Sequence, residues 1–561
     1  MVERVGASAH TETMSFETPP ATLVDHLEAA ARDGGGRTVF HRDGGAYRLE
    51  ADELFEMARI RAARLRDAGV AQGDRVGIIG PNAPDWVAWA HAGWLLGATL
   101  VAVPIPLRVR DRAALTNQIG ALATGFNCRR IAAHERFVPL VDERLVIPWD
   151  DVGSPADALA LDDLVRIADD TLAGITPTSG STSAPKGVSR SYAVLSLVKA
   201  IVKPSVNPLD REVVRPLSFA PLSHAAASMA ILAALEPTLE FHLLSPERFA
   251  RDPAELFRVV SEYRIMSLLG SSSAIAAALR SIERGPDGVD LSSIESINFA
   301  FEMVDPAVID RLIEVGGRFG LRPEAIGASY GLSEGGGTRT ENGQGIHVDE
   351  VDLDALVTQG VARPAAAGGP VKRVASCGRV SATSELRIAG PDGPMPDRHV
   401  GEVQFRGEWL MQGYVGPGAE DAFDKDGWMH TGDVGYLADG ELFITGRIKE
   451  VIVQQGKKYH PEDIEWAAAR GADVAPAECV AFTPLGADDG EIVVAVETSL
   501  TKGLEDQEQR IRAAVINSVG ITLRAVVFVS PATLPKASSG KSQRLAARDK
   551  HARGELDVVS R

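Results

Sequence analysis

The stretch from residue 75 to residue 103 constrains the fold of this chain most strongly. It consists of RVGII, then PDWVAWAHAGWLL beginning at Pro84, then TLVAV. Short continuous apolar runs are typical of buried strands, and proline is tolerated in the first turn of a helix. A strand, a helix and a second strand in this order favour parallel pairing, because a parallel crossover needs a connecting element such as a helix. The sequence therefore predicts the α/β fold class.

The 561 residues also divide into unequal parts, since one hydrophobic core does not grow to this size. After residue 446 the elements become short, with strands at EVIVQ, ECVAF, EIVVAV and AVVFV and helices at PEDIEWAAAR and DQEQRIRAAVINSV. We therefore expect a large N-terminal domain of layered α/β subdomains over residues 1–446 and a small, mobile α+β domain over residues 447–561. The Gly-, Ala- and Pro-rich segment at about 338–376 indicates a long loop or an insertion, and the charged C-terminal tail is expected to fray.

Charge and cysteine usage exclude several classes of protein. A formal net charge of −18 disfavours a nucleic-acid partner, which needs a basic surface. Cys128, Cys377 and Cys479 lie far apart, so a disulfide framework or a cysteine-rich zinc site is disfavoured and a reducing compartment is favoured. The N-terminus lacks the apolar core of a signal peptide, and the run GWLLGATLVAVPI is too short to insert into a membrane as a spanning helix. These features predict a cytoplasmic protein.

Residues 178–188, TSGSTSAPKGV, have the composition of an anion-binding loop. Glycine lets backbone N–H groups approach a ligand, while the hydroxyls and Lys186 add donors and a positive charge. A Walker loop would need a glycine where Pro185 stands, and the C-terminal PKASSGKS has Pro535 in place of its leading glycine. The loop therefore predicts a polyphosphate site outside the P-loop NTPases, although taken alone it could also be a polar surface turn.

The GLSEG segment at residues 331–335 matches the G-x-S-x-G pattern of serine hydrolases. That pattern works as a nucleophile elbow only when a strand precedes the serine and a helix follows it. The glycines at positions 335, 336 and 337 are poor residues for beginning a helix. A serine hydrolase that uses Ser333 is therefore a distant alternative.

Further motifs accompany the loop in a fixed order. They are PLSHAAA (221–227), SYGLSE (329–334), GEVQFRG (401–407), HTGDVGYL (430–437), ITGRIKEVIVQQGKKYHPEDIE (444–465) and LPKASSGKSQR (534–544). From about residue 20 to 548, this succession resembles the adenylate-forming superfamily of acyl-CoA synthetases, nonribosomal adenylation domains and luciferases. YHPEDIE, LPKASSGKSQR and the segment IHVDEVDLDALVTQGVARPAA followed by ASCGRV are most similar to the fatty acyl-AMP ligases.

The resemblance implies a ligase that consumes ATP with Mg²⁺. A carboxylic acid attacks the α-phosphate, pyrophosphate leaves, and the acyl-adenylate can pass its acyl group to a thiol acceptor, either coenzyme A or an acyl carrier protein. The nearest alternative is a complete acyl-CoA synthetase, which the retained Gly456 supports, although the insertion is associated with poor use of coenzyme A in similar ligases. A non-catalytic nucleotide-binding relative is disfavoured by Glu334 and Lys541. A place in lipid or natural-product biosynthesis follows from the family resemblance.

The resemblance also assigns roles to individual residues. The residues that it implies for binding the β- and γ-phosphates are Thr178, Ser179, Gly180, Ser181, Thr182 and Lys186. The residues that it implies for the adenine side of the nucleotide are Phe301, Glu302, Ser329, Tyr330 and Gly331. Phe301 is bulkier than the residues usual at its position. Ser333 lies near the α-phosphate, and Glu334 holds Mg²⁺.

The remaining assignments place both domains at one site. Asp433 and Arg447 bind the ribose, and Lys541 meets the carboxylate and the α-phosphate, so that Lys541, Glu334 and Lys186 form the catalytic set. His224 lies at the mouth of the acyl pocket, and Lys449 is the hinge. Taken singly, Tyr330 also suits a buried core, Asp433 a turn, His224 an apolar packing site and Lys541 a solvated loop.

Overall fold

The stretch at residues 75–103 lies at the centre of a seven-stranded sheet in the computed structural model of the chain. The structure describes residues 21–559 except 107–110, 179–184, 197–210, 228–230, 284, 286–287, 336, 341–343, 381–383, 409, 487–489, 501 and 537–540. The strands of this sheet, numbered along the chain, are β3 (Arg75–Ile79), β4 (Thr99–Ala102), β5 (Cys128–Ala133), β6 (Val146–Pro148), β7 (Leu172–Pro177), β8 (Gly187–Ser191) and β21 (Tyr414–Val415).

Their order across the sheet is β21-β8-β7-β4-β3-β5-β6. β3 pairs in parallel with both β4 and β5, as the apolar strand–helix–strand pattern predicts. The helices near it are α1 (Leu23–Asp33), α2 (Ala51–Asp67), α3 (Pro84–Leu95), α4 (Arg112–Gly125) and α5 (Tyr192–Ser196). α3 is buried on nearly every side, which explains why its sequence is apolar throughout.

A nine-stranded sheet stands beside the first one. It has the order β17-β14-β13-β12-β11-β9-β10-β1-β2. Its strands are β1 (Arg37–Arg42), β2 (Gly45–Leu49), β9 (Pro216–Ser218), β10 (Glu240–Leu244), β11 (Ser267–Gly270), β12 (Ser296–Phe299), β13 (Ile326–Gly331), β14 (Gly337–Arg339) and β17 (Arg379–Val380). The helices between them are α6 (Pro246–Arg251), α7 (Glu255–Tyr263), α8 (Ser272–Ile282) and α9 (Pro306–Gly317).

A five-stranded, largely antiparallel sheet completes the N-terminal part. Its order is β19-β18-β20-β22-β23. The strands are β18 (Ser384–Gly390), β19 (Gly393–Pro394), β20 (Gly401–Gly407), β22 (Met429–Ala438) and β23 (Glu441–Arg447). The described strands of all three large sheets therefore end by Arg447, and we keep the proposed domain boundary at residues 446 and 447.

The Gly- and Pro-rich segment near residues 338–376, expected to be a long loop or an insertion, contains regular elements on either side of an irregular stretch at 360–370. Between Val348 and Ala375 it forms an antiparallel pair, β15 (Val348–Asp352) and β16 (Val371–Ala375), with helix α10 (Leu353–Gln359) between the strands. One side packs on the five-stranded sheet, and Val357 of α10 enters the hydrophobic core of the C-terminal part. We call residues 348–375 the insertion.

The C-terminal part has a separate α+β core. A hairpin of β24 (Ile452–Gln454) and β25 (Lys457–Tyr459) precedes the sheet of β26 (Cys479–Phe482), β27 (Val493–Glu497) and β28 (Ala525–Val529). The helices are α11 (Pro461–Ala472), α12 (Leu504–Val519) and α13 (Arg544–Ala552). The expectation that the tail frays was wrong, because α13 is helical, Leu556 is buried and Val558 pairs with Val529 of β28.

The predicted α/β class, with a large N-terminal and a small C-terminal domain, is confirmed. The three cysteines are free and buried. Among the described residues, none of the helices is both long enough and apolar enough to traverse a lipid bilayer.

Candidate active site

The loop at residues 178–188 connects the two strands of a β-hairpin. β7 and β8 are antiparallel, with Pro177 opposite Gly187. Thr178 closes the loop, because its N–H and its hydroxyl both donate to the carbonyl oxygen of Lys186, at 2.9 and 3.2 Å. A Walker loop leads into a helix, whereas this loop leads into a strand. The predicted phosphate ligands Ser179, Gly180, Ser181 and Thr182 lie outside the described residues.

Lys186 and Glu334 lie on either side of Tyr414. The Lys186 ammonium is 3.8 Å from the centre of the Tyr414 ring, and it donates to Glu420 Oε1 at 2.6 Å. The Tyr414 hydroxyl donates to Glu334 Oε1 at 2.6 Å. Glu334 itself is in the turn after β13, where its carbonyl oxygen accepts the N–H of Met411. The structure thus gathers the predicted lysine and the predicted metal ligand around one tyrosine.

A cavity of about 130 Å³ lies beside this cluster, between the N-terminal sheets and the C-terminal domain. The small domain contributes Trp466 of α11 to its wall. The cavity brings together eight of the residues predicted from the sequence: Phe301, Glu302, Ser329, Tyr330, Gly331, Asp433, Arg447 and Lys541. Predicted nucleotide ligands from both domains therefore share one wall.

Asp433 is an acceptor in this cavity that two neighbouring side chains hold in place. It lies opposite Arg447 in the β22–β23 register, and Arg447 Nε is 2.7 Å from its Oδ1. The Tyr330 hydroxyl donates to Oδ2 at 2.7 Å, and the Asp433 side chain is only 7% exposed. Burial raises the pKa of the Asp433 carboxyl, while the neighbouring Arg447 charge opposes that rise. Each oxygen keeps a further lone pair, so the carboxylate can still accept two ribose hydroxyls.

Lys541 comes from the small domain and lines the same cavity. It follows the 537–540 stretch and precedes α13. Burial lowers the pKa of the Lys541 ammonium, and the positive charge of Arg447 lowers it further. Carboxylates in the surroundings oppose this shift, among them Glu462, Glu450 and Asp433. The domains therefore adopt an orientation that brings the lysine to the ribose-side residues.

Phe301 and Glu302 shape the adjoining wall. Glu302 Oε1 accepts the N–H of Ser273 at 2.7 Å, and burial raises the pKa of its carboxyl. Phe301 has a φ of +75°, a conformation that strains a bulky residue by about 1–3 kcal/mol and that is concentrated at ligand sites. His224 meets Phe301 edge to face at 5.9 Å, without lining the cavity itself. The histidine thus lies one side chain away from the nucleotide residues.

Ser333 and Lys449 are also absent from the cavity wall. Ser333 follows β13, and its carbonyl oxygen accepts a hydrogen bond from Arg190 at 2.6 Å. Among the described residues that follow, β14 begins at Gly337, so the helix of a nucleophile elbow is absent there. Lys449 is exposed in a 3-10 turn, Ile448–Glu450, directly between β23 and β24. This position fits the proposed hinge.

Tyr414 and Arg544 were not predicted as site residues. Both fall beside quoted motifs, Tyr414 after GEVQFRG and Arg544 at the end of LPKASSGKSQR. The nearby motifs were the only sequence signal. Their partners lie far away in sequence, with Glu334 80 residues before Tyr414 and Glu465 79 residues before Arg544.

The chain has extended matches to known proteins. The family described as AMP-binding enzyme matches residues 27–415. A second family, described as Disco-interacting protein 2-like, AMP domain, matches residues 449–561. The second match begins at Lys449, within the 3-10 turn Ile448–Glu450.

Individual relatives cover almost the whole chain. The ligase Rv1013 of Mycobacterium tuberculosis is 31% identical over 88% of this chain and 92% of its own length. The medium-chain-fatty-acid–[acyl-carrier-protein] ligase JamA of Moorena producens is 27% identical over 96% of both chains. A solved structure from a study of fatty acyl-adenylate ligases of E. coli and L. pneumophila superposes with a TM-score of 0.86 at 25% identity, over 95% of this chain and 98% of that one.

Proposed function

The chain belongs to the AMP-binding enzyme family, and from that membership we propose that it is an ATP-dependent acyl-AMP ligase acting through the residues of this cavity. The convergence of Lys541, from the small domain, with Asp433, Arg447 and Tyr330 of the large domain carries the proposal. A carboxylate oxygen of the acid forms a bond to the α-phosphorus of ATP. The bond between that phosphorus and the bridging oxygen breaks, and pyrophosphate leaves.

The charges of the site suit this reaction. Both reactants are anions, so the protein must supply positive charge and hold them in line rather than supply a nucleophile. Lys541 and Arg447 supply charge at the cavity, and Lys186 supplies charge on the pyrophosphate side. Asp433, oriented by the Tyr330 hydroxyl, holds the ribose, which fixes the α-phosphate relative to Lys541. No proton transfer is required, since the acid reacts as its carboxylate.

Glu334 is the residue we propose for Mg²⁺. Among the described residues, clusters of three or more His, Cys, Asp or Glu side chains that could hold a metal are absent. Mg²⁺ usually binds through one or two carboxylates together with substrate phosphates, so a single carboxylate beside the phosphate loop fits this ion. Oε1 of Glu334 accepts the Tyr414 hydroxyl, which leaves Oε2 available. When bound, the ion neutralises charge on the phosphates.

We propose a fatty acid as the substrate class and a carrier-bound thiol as the acceptor. The JamA and acyl-adenylate ligase similarities support the acid class, and JamA supports the carrier. The insertion supports limited use of coenzyme A, because it ties the small domain to the large one. Lys372 of β16 donates to Asp463 of α11 at 2.6 Å in a largely buried pair, and Val357 packs into the small-domain core.

A complete acyl-CoA synthetase is the second candidate, and one observation favours it. A cavity of about 860 Å³ lies between the insertion, the 3-10 turn and the small domain, with Gly456 on its wall. Gly456 has a φ of +75°, and a Cβ there would meet nothing within 4 Å, so the wall is open at this point. Such a space could admit the pantetheine arm of either coenzyme A or a carrier.

Acid-dependent exchange of labelled pyrophosphate into ATP tests the proposed function. We expect exchange with fatty acids of some chain lengths in a panel that also contains aryl acids, and none without acid. Adding coenzyme A or a loaded carrier protein afterwards, with products identified by mass, separates the two acceptors. Absence of exchange with every acid, from a protein that still binds ATP, would contradict the ligase.

Asp463→Asn is expected to raise the share of acyl groups that reach coenzyme A. Removing the charge leaves Lys372, whose side chain is 8% exposed, without its partner and weakens the link between insertion and small domain. If the link between the insertion and the small domain loses about 1–2 kcal/mol of free energy, the ratio of acyl-CoA to acyl-AMP changes roughly 5–30-fold. The ratio is measured by mass spectrometry after a fixed number of turnovers.

The matched control is Asp354→Asn. Asp354 of the insertion also reaches the small domain, through Lys457 at 3.1 Å, but its side chain is 64% exposed. A surface pair of this kind contributes about 0.5 kcal/mol, so we expect roughly a twofold change at most. Equal ratios in Asp463→Asn and Asp354→Asn would show that the buried pair does not restrain the acceptor step.

A further inference from the structure

Residues 411–420 fasten the exit of the phosphate loop to the turn that carries Glu334. Val415 pairs with Gly187 in β8, and the N–H of Gly418 donates to the carbonyl oxygen of Pro185 at 3.0 Å. At the other end the N–H of Met411 donates to the carbonyl oxygen of Glu334 at 2.6 Å. The backbone of this short segment thus holds both sides of the proposed pyrophosphate site.

The approach to the loop is close enough to require a glycine. Gly416 has a φ of +101°, and a Cβ at this position would lie 2.8 Å from the Pro185 carbonyl oxygen and 2.8 Å from the Phe126 ring. Both atoms are too near for any side chain, and the positive φ would strain one as well. The segment therefore reaches Tyr414 with its backbone pressed against the last residues of the loop.

The side chain of Tyr414 contacts two groups of opposite charge in different ways. Its ring face carries the Lys186 ammonium at 3.8 Å, and its hydroxyl donates to Glu334 Oε1 at 2.6 Å. A ring face attracts a cation without neutralising it, and a single hydrogen bond leaves the second carboxylate oxygen free. A direct ion pair between the lysine and the glutamate would reduce the charge that each offers to a ligand, whereas their contacts with Tyr414 do not.

The second partner of Lys186 is easily exchanged. The ammonium donates to Glu420 at 2.6 Å, but the Glu420 side chain is 58% exposed, and ion pairs with such a carboxylate are weak in water. Phosphate oxygens can replace it, whereas the tyrosine ring, held by β21, stays in place. The ring of Tyr414 is therefore the fixed contact of Lys186, and its hydroxyl is the hydrogen-bond donor to Glu334, whose charge also acts on Arg190.

We propose that Tyr414 is the positioning residue of the pyrophosphate side, holding Lys186 and Glu334 apart and directed at the polyphosphate and its metal. This inference depends on the proposed function for the identity of the ligand. Tyr414 touches neither the reacting carboxylate nor the α-phosphate in this assignment. Its hydroxyl positions Glu334 and its ring positions Lys186, so substitutions that remove the hydroxyl alone or the whole ring can test the two roles separately.

Two calorimetric titrations of ATP into the full chain, one with Mg²⁺ and one with EDTA, test both roles. The carboxylic acid substrate is left out of both. Tyr414→Phe removes only the hydroxyl and should weaken Mg·ATP binding about tenfold, while ATP in EDTA binds within roughly twofold of wild type. Tyr414→Leu also removes the ring and should weaken binding of ATP in EDTA by about three- to tenfold. Exchange assays should show a matching rise in the Mg²⁺ concentration needed for half-maximal rate.

Tyr436→Phe is the matched control. The Tyr436 hydroxyl donates to the carboxylate of Asp349 at 2.8 Å in the buried core, away from the cavity. We expect it to lower thermal stability and to leave both ATP affinities unchanged. Tyr414→Phe that binds Mg·ATP as tightly as wild type or more tightly, or that behaves like Tyr436→Phe, would overturn the inference. Wild-type protein that fails to bind Mg·ATP at all would instead refute the proposed function.

Discussion

Lys541→Ala is expected to lower acid-dependent ATP–pyrophosphate exchange by about two to three orders of magnitude while leaving Mg·ATP affinity within roughly threefold. The ammonium is a small-domain charge that lines the cavity, where it can meet the acid carboxylate and the α-phosphate. Charge grows there as the new bond forms, so the loss should fall on the rate rather than on binding. Exchange kinetics and calorimetry with Mg·ATP measure the two quantities separately.

Lys536→Ala is the matched control for this substitution. Lys536 precedes the same 537–540 stretch, but its side chain is 31% exposed and its nearest acid, Glu497, is 3.6 Å away. We expect exchange to stay within about twofold of wild type, as for most surface substitutions. Equal exchange in Lys541→Ala and wild type would refute the proposed role of the lysine, and an equal loss in both variants would indicate a folding defect.

The pH profile gives a second test of Lys541. Burial and the Arg447 charge lower the pKa of its ammonium. A lysine with a lowered pKa is charged below that pKa and loses its charge as the pH rises through it. The kcat/KM of the free enzyme should therefore decline on the alkaline side, below the ordinary range for lysine. Lys541→Arg, which stays charged, should remove this decline at a reduced rate, and an unchanged decline would contradict the assignment.

Arg544→Gln is expected to lower the free energy of unfolding by about 3–5 kcal/mol. Arg544 begins α13 and, with a side chain that is 8% exposed, is surrounded by three carboxylates. It contacts Glu465 at 2.7 Å, Glu462 at 2.9 Å and Glu450 of the 3-10 turn. Glutamine would leave these acids buried without their common cation. Urea denaturation of the full chain, followed by far-ultraviolet circular dichroism, measures the loss.

Lowering the pH should relieve part of this loss of stability. Without Arg544 the buried carboxylates have folded-state pKa values raised above their unfolded values, so their destabilising effect is present at neutral pH and disappears as they are protonated. The difference between Arg544→Gln and wild type should therefore shrink from pH 7 to about pH 5. Arg548→Gln on the same helix, whose partner Asp549 is 40% exposed, should change stability by less than about 1 kcal/mol at either pH. A loss in Arg544→Gln as small as in Arg548→Gln would contradict the account of the buried cluster.

The insertion shows where composition misleads. Gly, Ala and Pro near residues 338–376 indicate a loop when judged locally, yet β15 and β16 pair over five residues and α10 lies between them. The pairing is stabilised by what surrounds it: Val351 and Val374 pack on Tyr436, and Val357 enters the small-domain core. A single segment carries no signal for partners that are supplied by other parts of the chain.

The candidate site was predicted only in part, because a local segment carries no signal for its remote partners. Tyr330, Asp433, Arg447 and Lys541 were assigned through motifs that occur in a fixed order, and the structure brings them to one cavity. Tyr414 lies outside these motifs, and the carboxylates around Arg544 lie within the quoted motif at residues 444–465, which assigned them no role. Their proposed importance follows from contacts across 80 or 79 residues of chain, which local patterns do not specify.

The amino-acid sequence by itself determined the α/β class, the parallel pairing around residues 75–103 and the kind of reaction, because apolar periodicity and short motifs are properties of neighbouring residues. The tertiary structure alone decided that the insertion links the two domains, that Tyr414 contacts both Lys186 and Glu334, and that Arg544 pairs with three acids, two of them buried. Those features depend on burial and on distances between remote segments, which exist only once the sheets and both domains have packed together.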